Sequence, residues 1–275
     1  MKYPTFSHQN LEQDLARFDR IMSFPSSQKL ESASRSIRQY YQYTNFFYRY
    51  FHSPEGAMHL PLYLPDQPRR HQDALLAQAR RLEGHLKSIS ARRVLELGCG
   101  QGYNLAYLAR LYPGVTFVGL DRMPRHIQQA RRYGRGLANL SFQGGDMEQP
   151  PFPAGSFDLI LAVESFCYVA RPRSALKHYL DILSPGGRLV LFDAFRHPAY
   201  AERTHHLKRA SELAGRGFAV SEWWSLDGLL DWAQEASFEL WEVRDFSQAA
   251  LPNLLTFQNQ ARKLLESVAV GARTR

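Results

Sequence analysis

Cysteine is scarce in this chain. Cys99 and Cys167 are its two copies in 275 residues, too few for a disulfide framework, and neither has metal-ligating neighbours at zinc spacing. Both are expected as free thiols, and no metal site is expected. Long apolar runs are missing as well. None approaches the roughly 20 residues that span a bilayer, and the opening MKYPTFSHQN lacks the apolar core of a signal peptide. These absences point to a cytoplasmic location. The chain also lacks internal repeats, low-complexity tracts and long linkers. Acidic residues are the minority, 26 Asp and Glu against 34 Lys and Arg, for a net charge of +8. That balance excludes an acidic, solvating chain and favours an anionic partner. A phosphorylated small molecule, an anionic membrane surface touched peripherally and a nucleic acid all qualify. The densest basic stretch, RMPRHIQQARRYGR at 122–135, has helical spacing and also reads as a solvated helix face.

What is present is organised around VLELGCGQGYN, residues 94–104. Its first four residues are a short apolar run, which reads as a buried strand. Gly98, Cys99, Gly100, Gln101 and Gly102 turn the chain, and Leu105, Leu108 and Ala109 follow at helical spacing. Strand, glycine turn and helix open a nucleotide-binding α/β unit, where bare backbone lets a ligand approach. A turn of this kind is also made by chains that bind nothing. A dinucleotide fingerprint would need a third glycine where Tyr103 stands, so a NAD-dependent enzyme is disfavoured. The βα rhythm continues with strands expected at 116–120, 140–142, 157–163, 188–192 and 238–243. Helices are expected at 70–88, 172–183 and 252–268. The fold class is α/β: a Rossmann-like sheet with helices on both faces, a helical cap over residues 1–90, and a helical insertion at about 196–236. Ser225 is expected to cap a helix within that insertion.

The motif E-x-G-x-G-x-G, from Glu96 to Gly102, resembles motif I of the class I S-adenosylmethionine (SAM)-dependent methyltransferases. Asp121 after the second strand, Asp146 after the third, the approach PFPAGSFDLI and the turn LSPGGRLVLFD fall in family order across residues 92–195. The resemblance implies SAM as cofactor. It implies that Glu96, Gly98, Cys99, Gly100 and Gly102 border its methionine part and ribose. Asp121 would hold the ribose hydroxyls, with Arg122 alongside, Met123 would flank the adenine, and Asp146 and Met147 would address it.

Two further stretches bear on the acceptor. After the fourth strand, Glu164-Ser165-Phe166-Cys167-Tyr168-Val169 resembles the loop of alkene-methylating enzymes, notably the prenyl-diphosphate and sterol C-methyltransferases. Upstream, YYQYTNFFYRYFHSPEGAMHLPLY resembles the segment before motif I in cyclopropane-fatty-acid synthases and sterol methyltransferases. There a tyrosine-rich helix and a loop close over the cofactor. By that resemblance Tyr41 and Tyr48 match family tyrosines, His59 a pocket position and Gln78 a cofactor-side glutamine. Alkene methylation leaves a carbocation. Aromatic faces attract cations, and a buried carboxylate supplies countercharge and a base. The chain has 14 Tyr, 17 Phe and 4 Trp, enough for such a wall. Glu164 is therefore expected as the acid/base, with Tyr41, Tyr48, His59 and Tyr168 lining the pocket. Carbon methylation of an unsaturated isoprenoid or lipid-like small molecule is the favoured expectation. N- or O-methylation of a polar metabolite stays open, as does a SAM-fold protein that binds RNA without chemistry. No specific nucleic acid partner is expected, because no RNA-binding module is recognisable. The short tail after the last helix suggests an incomplete sheet whose exposed edge is available to a homodimer.

Overall fold

The computed structural model describes residues 12, 13, 15, 16, 52, 53, 56–66, 68, 70–196, 200, 202–220 and 222–271. Tyr41, Tyr48 and most of the expected cap lie outside the described residues. The chain enters through α1 (His71–Leu75) and α2 (Ala77–Ser88). The single helix expected at 70–88 is thus two, parted at Leu76. The core then alternates: β1 (Arg93–Leu97), α3 (Tyr103–Leu111), β2 (Thr116–Asp121), α4 (Pro124–Tyr133), β3 (Leu140–Gly144), β4 (Phe157–Val163), α5 (Pro172–Ile182) and β5 (Leu183–Phe192). It ends with α6 (His205–Gly217), α7 (Leu226–Glu235) and α8 (Ser247–Gly271).

The five strands form one parallel sheet in the order β3-β2-β1-β4-β5. Parallel strands are covered on both faces, which is why they read as continuous apolar runs rather than alternating ones. On one face Val94, Leu159 and Leu161 pack with Ala79, Leu82 and Leu86 of α2 and Leu105 and Leu108 of α3. On the other, Leu95, Leu97, Ile160 and Ala162 pack with Leu176 and Tyr179 of α5 and Leu229 of α7. Helix starts follow local chemistry. Proline stands at the first turn of α4 and α5, where its missing N–H costs nothing. Ser225 caps α7, its Oγ accepting from the Gly228 amide at 3.1 Å.

Strand order reverses between β1 and β4. The loops leaving their C-terminal ends flank the crevice where ligands bind in open α/β sheets. Beyond β5 the expectation fails. Residues 238–243 form no strand, and Leu240, Trp241 and Val243 are exposed. Ser237, at φ +70°, closes α7 with amide bonds back into its last turn. The chain then passes β5 through side chains, with Trp241 4.3 Å from the Arg188 guanidinium, and makes no backbone ladder. A short apolar run does not report whether an edge is within reach. Among the described residues β5 is therefore an edge strand. The last helix is longer than expected, beginning at Ser247.

Candidate active site

At the C-terminal end of β1 the chain turns through three left-handed glycines, with φ +67° at Gly98, +52° at Gly100 and +78° at Gly102. They serve different neighbours. A Cβ on Gly98 would stand 2.5 Å from the Ser165 Cβ, and one on Gly102 would stand 2.4 Å from the Phe142 ring. Gly100 faces Met58 closely, an added Cβ standing 3.3 Å from its Sδ. Gly98 and Gly100 line a chamber of about 80 Å³ together with Glu96, Cys99, Asp121, Arg122, Met123, Asp146 and Met147. Two residues expected on the cofactor do not reach it. Gly102 is closed off by Phe142 and Ala130, so its glycine serves helix–sheet packing. Gln78 is buried on α2 and donates from Nε2 to the Leu60 carbonyl at 2.8 Å.

The polar groups of this chamber fit an amino-acid and ribose ligand. Glu96 is buried and accepts from Asn104 Nδ2 at 3.0 Å, while its Oε2 and Asn104 Oδ1 have no partner. Burial and the nearby Asp121 charge push the Glu96 carboxyl up to about 8, against the Asn104 hydrogen bond. Two orphaned buried acceptors side by side suit an ammonium group. Asp121 accepts from the Gly100 amide at 2.9 Å and the Met123 amide at 2.8 Å. A carboxylate has capacity beyond two donors, and ribose hydroxyls would use it. Arg122 pairs with Asp146 at 3.4 Å at the chamber's rim.

A strap, residues 56–64, crosses this chamber. His59 donates to the Leu75 carbonyl at 2.8 Å, the Leu62 amide to Ala74 at 2.9 Å, and the Tyr63 amide to Ala249 at 2.9 Å. The Leu60 amide donates to Glu164 Oε1 at 2.8 Å. Glu164 ends β4 at φ +49°, a strained conformation for a residue with a side chain, and such strain concentrates at functional sites. Burial, helped by the Asp193 charge, lifts its carboxyl to about 8 against the Leu60 hydrogen bond. Asp193, one residue past β5, is lifted to about 6 by burial, although the Ala194 and Cys167 amides oppose the shift. Burial holds His59 down to about 4, so its ring is neutral.

A second, far larger cavity of about 2340 Å³ lies on the other side of the strap. It is bordered by the β5 edge, α7 and the residues leading into α8. Met58, His59, Glu164 and Tyr168 line both cavities. Three of these four are pocket residues expected from the sequence. Tyr168 is tied back by its hydroxyl, which donates to the Phe218 carbonyl at 3.0 Å. The remaining expected members, Tyr41 and Tyr48, lie outside the described residues. Sequence reasoning missed Met58, Asn104, Ser165 and Asp193. Asp193 closes the LVLFD run, and its place at a strand end was a usable signal. Ser165 holds the Leu97 carbonyl at 2.7 Å, a role that no motif announces.

A parallel sheet whose first strand delivers a buried glutamate into such a turn belongs to the class I SAM-dependent methyltransferases. The chain is a member of the methyltransferase domain family, whose model matches residues 63–243. It is 29% identical over 240 residues to the S-adenosyl-L-methionine-dependent Diels-Alderase iccD of Talaromyces variabilis, covering 82% of this chain and 81% of that one. It is 34% identical over 152 residues to a fatty-acid O-methyltransferase of Mycolicibacterium smegmatis, covering 54% of this chain. There, and for several other curated relatives, the match spans about half the relative's length, 52% in the fatty-acid enzyme. The fold matches geranyl diphosphate C-methyltransferase from Streptomyces coelicolor A3(2) with a TM-score of 0.65 and 18% identity, covering 82% of this chain and 86% of that one. That structure contains S-adenosyl-L-homocysteine, Mg2+ and geranyl diphosphate.

Proposed function

We propose that this methyltransferase acts on an apolar, lipid-like small molecule, and that carbon methylation of an unsaturated isoprenoid or lipid chain is its reaction. The observation that carries the reading is the wall between the two cavities, where Glu164 stands. A donor in the small chamber and an acceptor in the large one meet at that wall, and fixing their approach supplies much of the rate. Phe195, Phe218, Val220 and Trp223 make the acceptor side apolar. SAM, when bound, supplies an electrophilic methyl group.

The alkene's electron pair would form the new carbon–carbon bond to that methyl group, the sulfur keeping the electrons of the bond it gives up. The acceptor is left one charge positive, and Glu164, as carboxylate, takes a proton from the neighbouring carbon and restores a double bond. Leu60 N–H orients Glu164 for that transfer. His59, neutral, and Tyr168 wall the site without competing for the proton. The fatty-acid relative favours a second reading, methyl transfer to a lipid oxygen, in which Glu164 would take a hydroxyl proton first.

The test mixes methyl-labelled SAM, pure protein and fractionated extract. Label in an organic-soluble product that resists both base and hydriodic acid supports carbon methylation. A base-labile ester, or an ether whose methyl is released by hydriodic acid, moves the assignment to oxygen. Label in water-soluble metabolites, in RNA or in protein overturns the lipid-like acceptor.

A further inference from the structure

The acceptor cavity contains a cation with no counter-ion among the described residues. Arg196, three residues past Asp193, lines it. Its backbone is fixed, because its amide donates to the Trp224 carbonyl at 2.7 Å and it bridges to Ser225 at the start of α7. Its guanidinium lies 4.6 Å from the Tyr200 ring centre. Its Nε is buried with no hydrogen-bond partner, and among the described residues it forms no ion pair. A guanidinium has five donors in a fixed fork that matches carboxylate and phosphate oxygens. Burying one of those donors unpaired is costly unless a ligand completes it. Stacking on Tyr200 removes the rotational freedom that a free arginine would lose on binding, so the fork is already set. Among the described residues neither Asp193, which accepts from the Cys167 and Ala194 amides, nor Glu164, which accepts from the Leu60 amide, forms an ion pair with it.

We propose that Arg196 is a specificity residue that binds an oxyanion, carboxylate or phosphate, at the end of the acceptor's apolar body. This deepens the proposed function and rests on it for the identity of the cavity. Arg196 does not line the cofactor chamber, so it takes no part in methyl transfer itself. Fixing one end of the chain at Arg196 would set which acceptor carbon or oxygen reaches the wall at Glu164. The same contact favours the anion over the uncharged alcohol, because a charge-assisted, two-oxygen partner matches the fork and a lone hydroxyl does not.

Binding separates this idea from the chemistry. Calorimetry on the S-adenosyl-L-homocysteine-loaded protein compares dodecanol, dodecanoate and dodecyl phosphate. Wild type is expected to hold at least one of the two anions at least about tenfold tighter than the alcohol. Whichever anion is preferred identifies the head group. Arg196→Gln is expected to erase that preference and leave dodecanol affinity unchanged, and Arg196→Lys to keep part of it. Cofactor affinity in both variants should match wild type, which also shows that they fold. Equal binding of anions and alcohol by wild type overturns the proposal. So does an anion preference that survives Arg196→Gln and is lost instead in Arg81→Gln. Arg81 is the other cation of this cavity with an unpartnered Nε, and it stands over Phe246. The readout does not depend on turnover. Retained anion preference without methyl transfer would sink the proposed reaction and leave Arg196 standing.

Discussion

Glu164 concentrates the chemistry in one side chain, and its titration is the direct check on it. A base works deprotonated. With its carboxyl lifted to about 8, kcat/KM should rise with pH and level off above that value, and fall about tenfold per pH unit below it. Glu164→Gln should lose turnover while SAM affinity, read by calorimetry, stays near wild type. Full activity in that variant would sink the assignment. Gly98 tests the turn. Its φ of +67° and a Cβ clash with Ser165 act together in Gly98→Ala. Gly136 has φ +87° and open space around an added Cβ, so Gly136→Ala pays only the backbone cost, about 1–2 kcal/mol. Chemical denaturation should show the Gly98 variant losing at least about 1 kcal/mol more than the Gly136 variant. Equal losses would mean that Ser165 yields freely.

The strap is the element that joins the two cavities, and it was only half legible in the sequence. His59 and the loop around it were read as a site from family likeness. How they are held was not, because the strap is fixed through backbone groups: the Leu60 amide on Glu164, and the Leu75 and Ala74 carbonyls. Backbone partners leave no signature in residue types. Gln78 illustrates the gap. It was assigned to the cofactor, but it anchors the strap from behind. Removing it leaves the Leu60 carbonyl without that donor, so Gln78→Ala should cost about 1–3 kcal/mol. It should also speed protease cleavage within residues 56–64. Unchanged cleavage would show that the remaining strap bonds suffice. The three central strands were legible because β1, β2 and β4 are buried along most of their length, while β3 and β5 are only partly buried and were read from the βα rhythm. Residues 238–243 were misread as a strand because a short run rich in apolar and bulky residues carries no record of a partner edge.

Across the whole molecule, the site places three carboxyls where water is scarce. Glu96 and Glu164 titrate near 8 and Asp193 near 6, all above their ordinary values. In that window the folded chain holds more protons than the unfolded one, so stability falls as pH rises from about 4.5 towards 8. His59 acts from the acid side. Its folded value of about 4 lies below 6.5, so its share of stability is present above 6.5 and lost as pH falls towards 4. The carboxyls outnumber His59 across this window, so the ligand-free protein should have its highest Tm at about pH 4.5 and lose stability from there towards 8. Adding SAM, a cation beside Glu96, should flatten the alkaline fall. Scanning calorimetry across pH with and without SAM checks both, and a flat ligand-free profile would refute the burial argument. The sheet has one more consequence, which concerns how the molecule comes into being. Every strand pair is parallel, so among the described residues no hairpin exists to start it. The central strand β1 meets β4 by setting Val94 beside Leu159, with α3, β2, α4 and β3 looped out between them. Closing that loop costs chain entropy before any burial rewards it. Assembly of the centre is thus a late and slow event in folding, and until β4 arrives the apolar flank of β1 stands open to other chains.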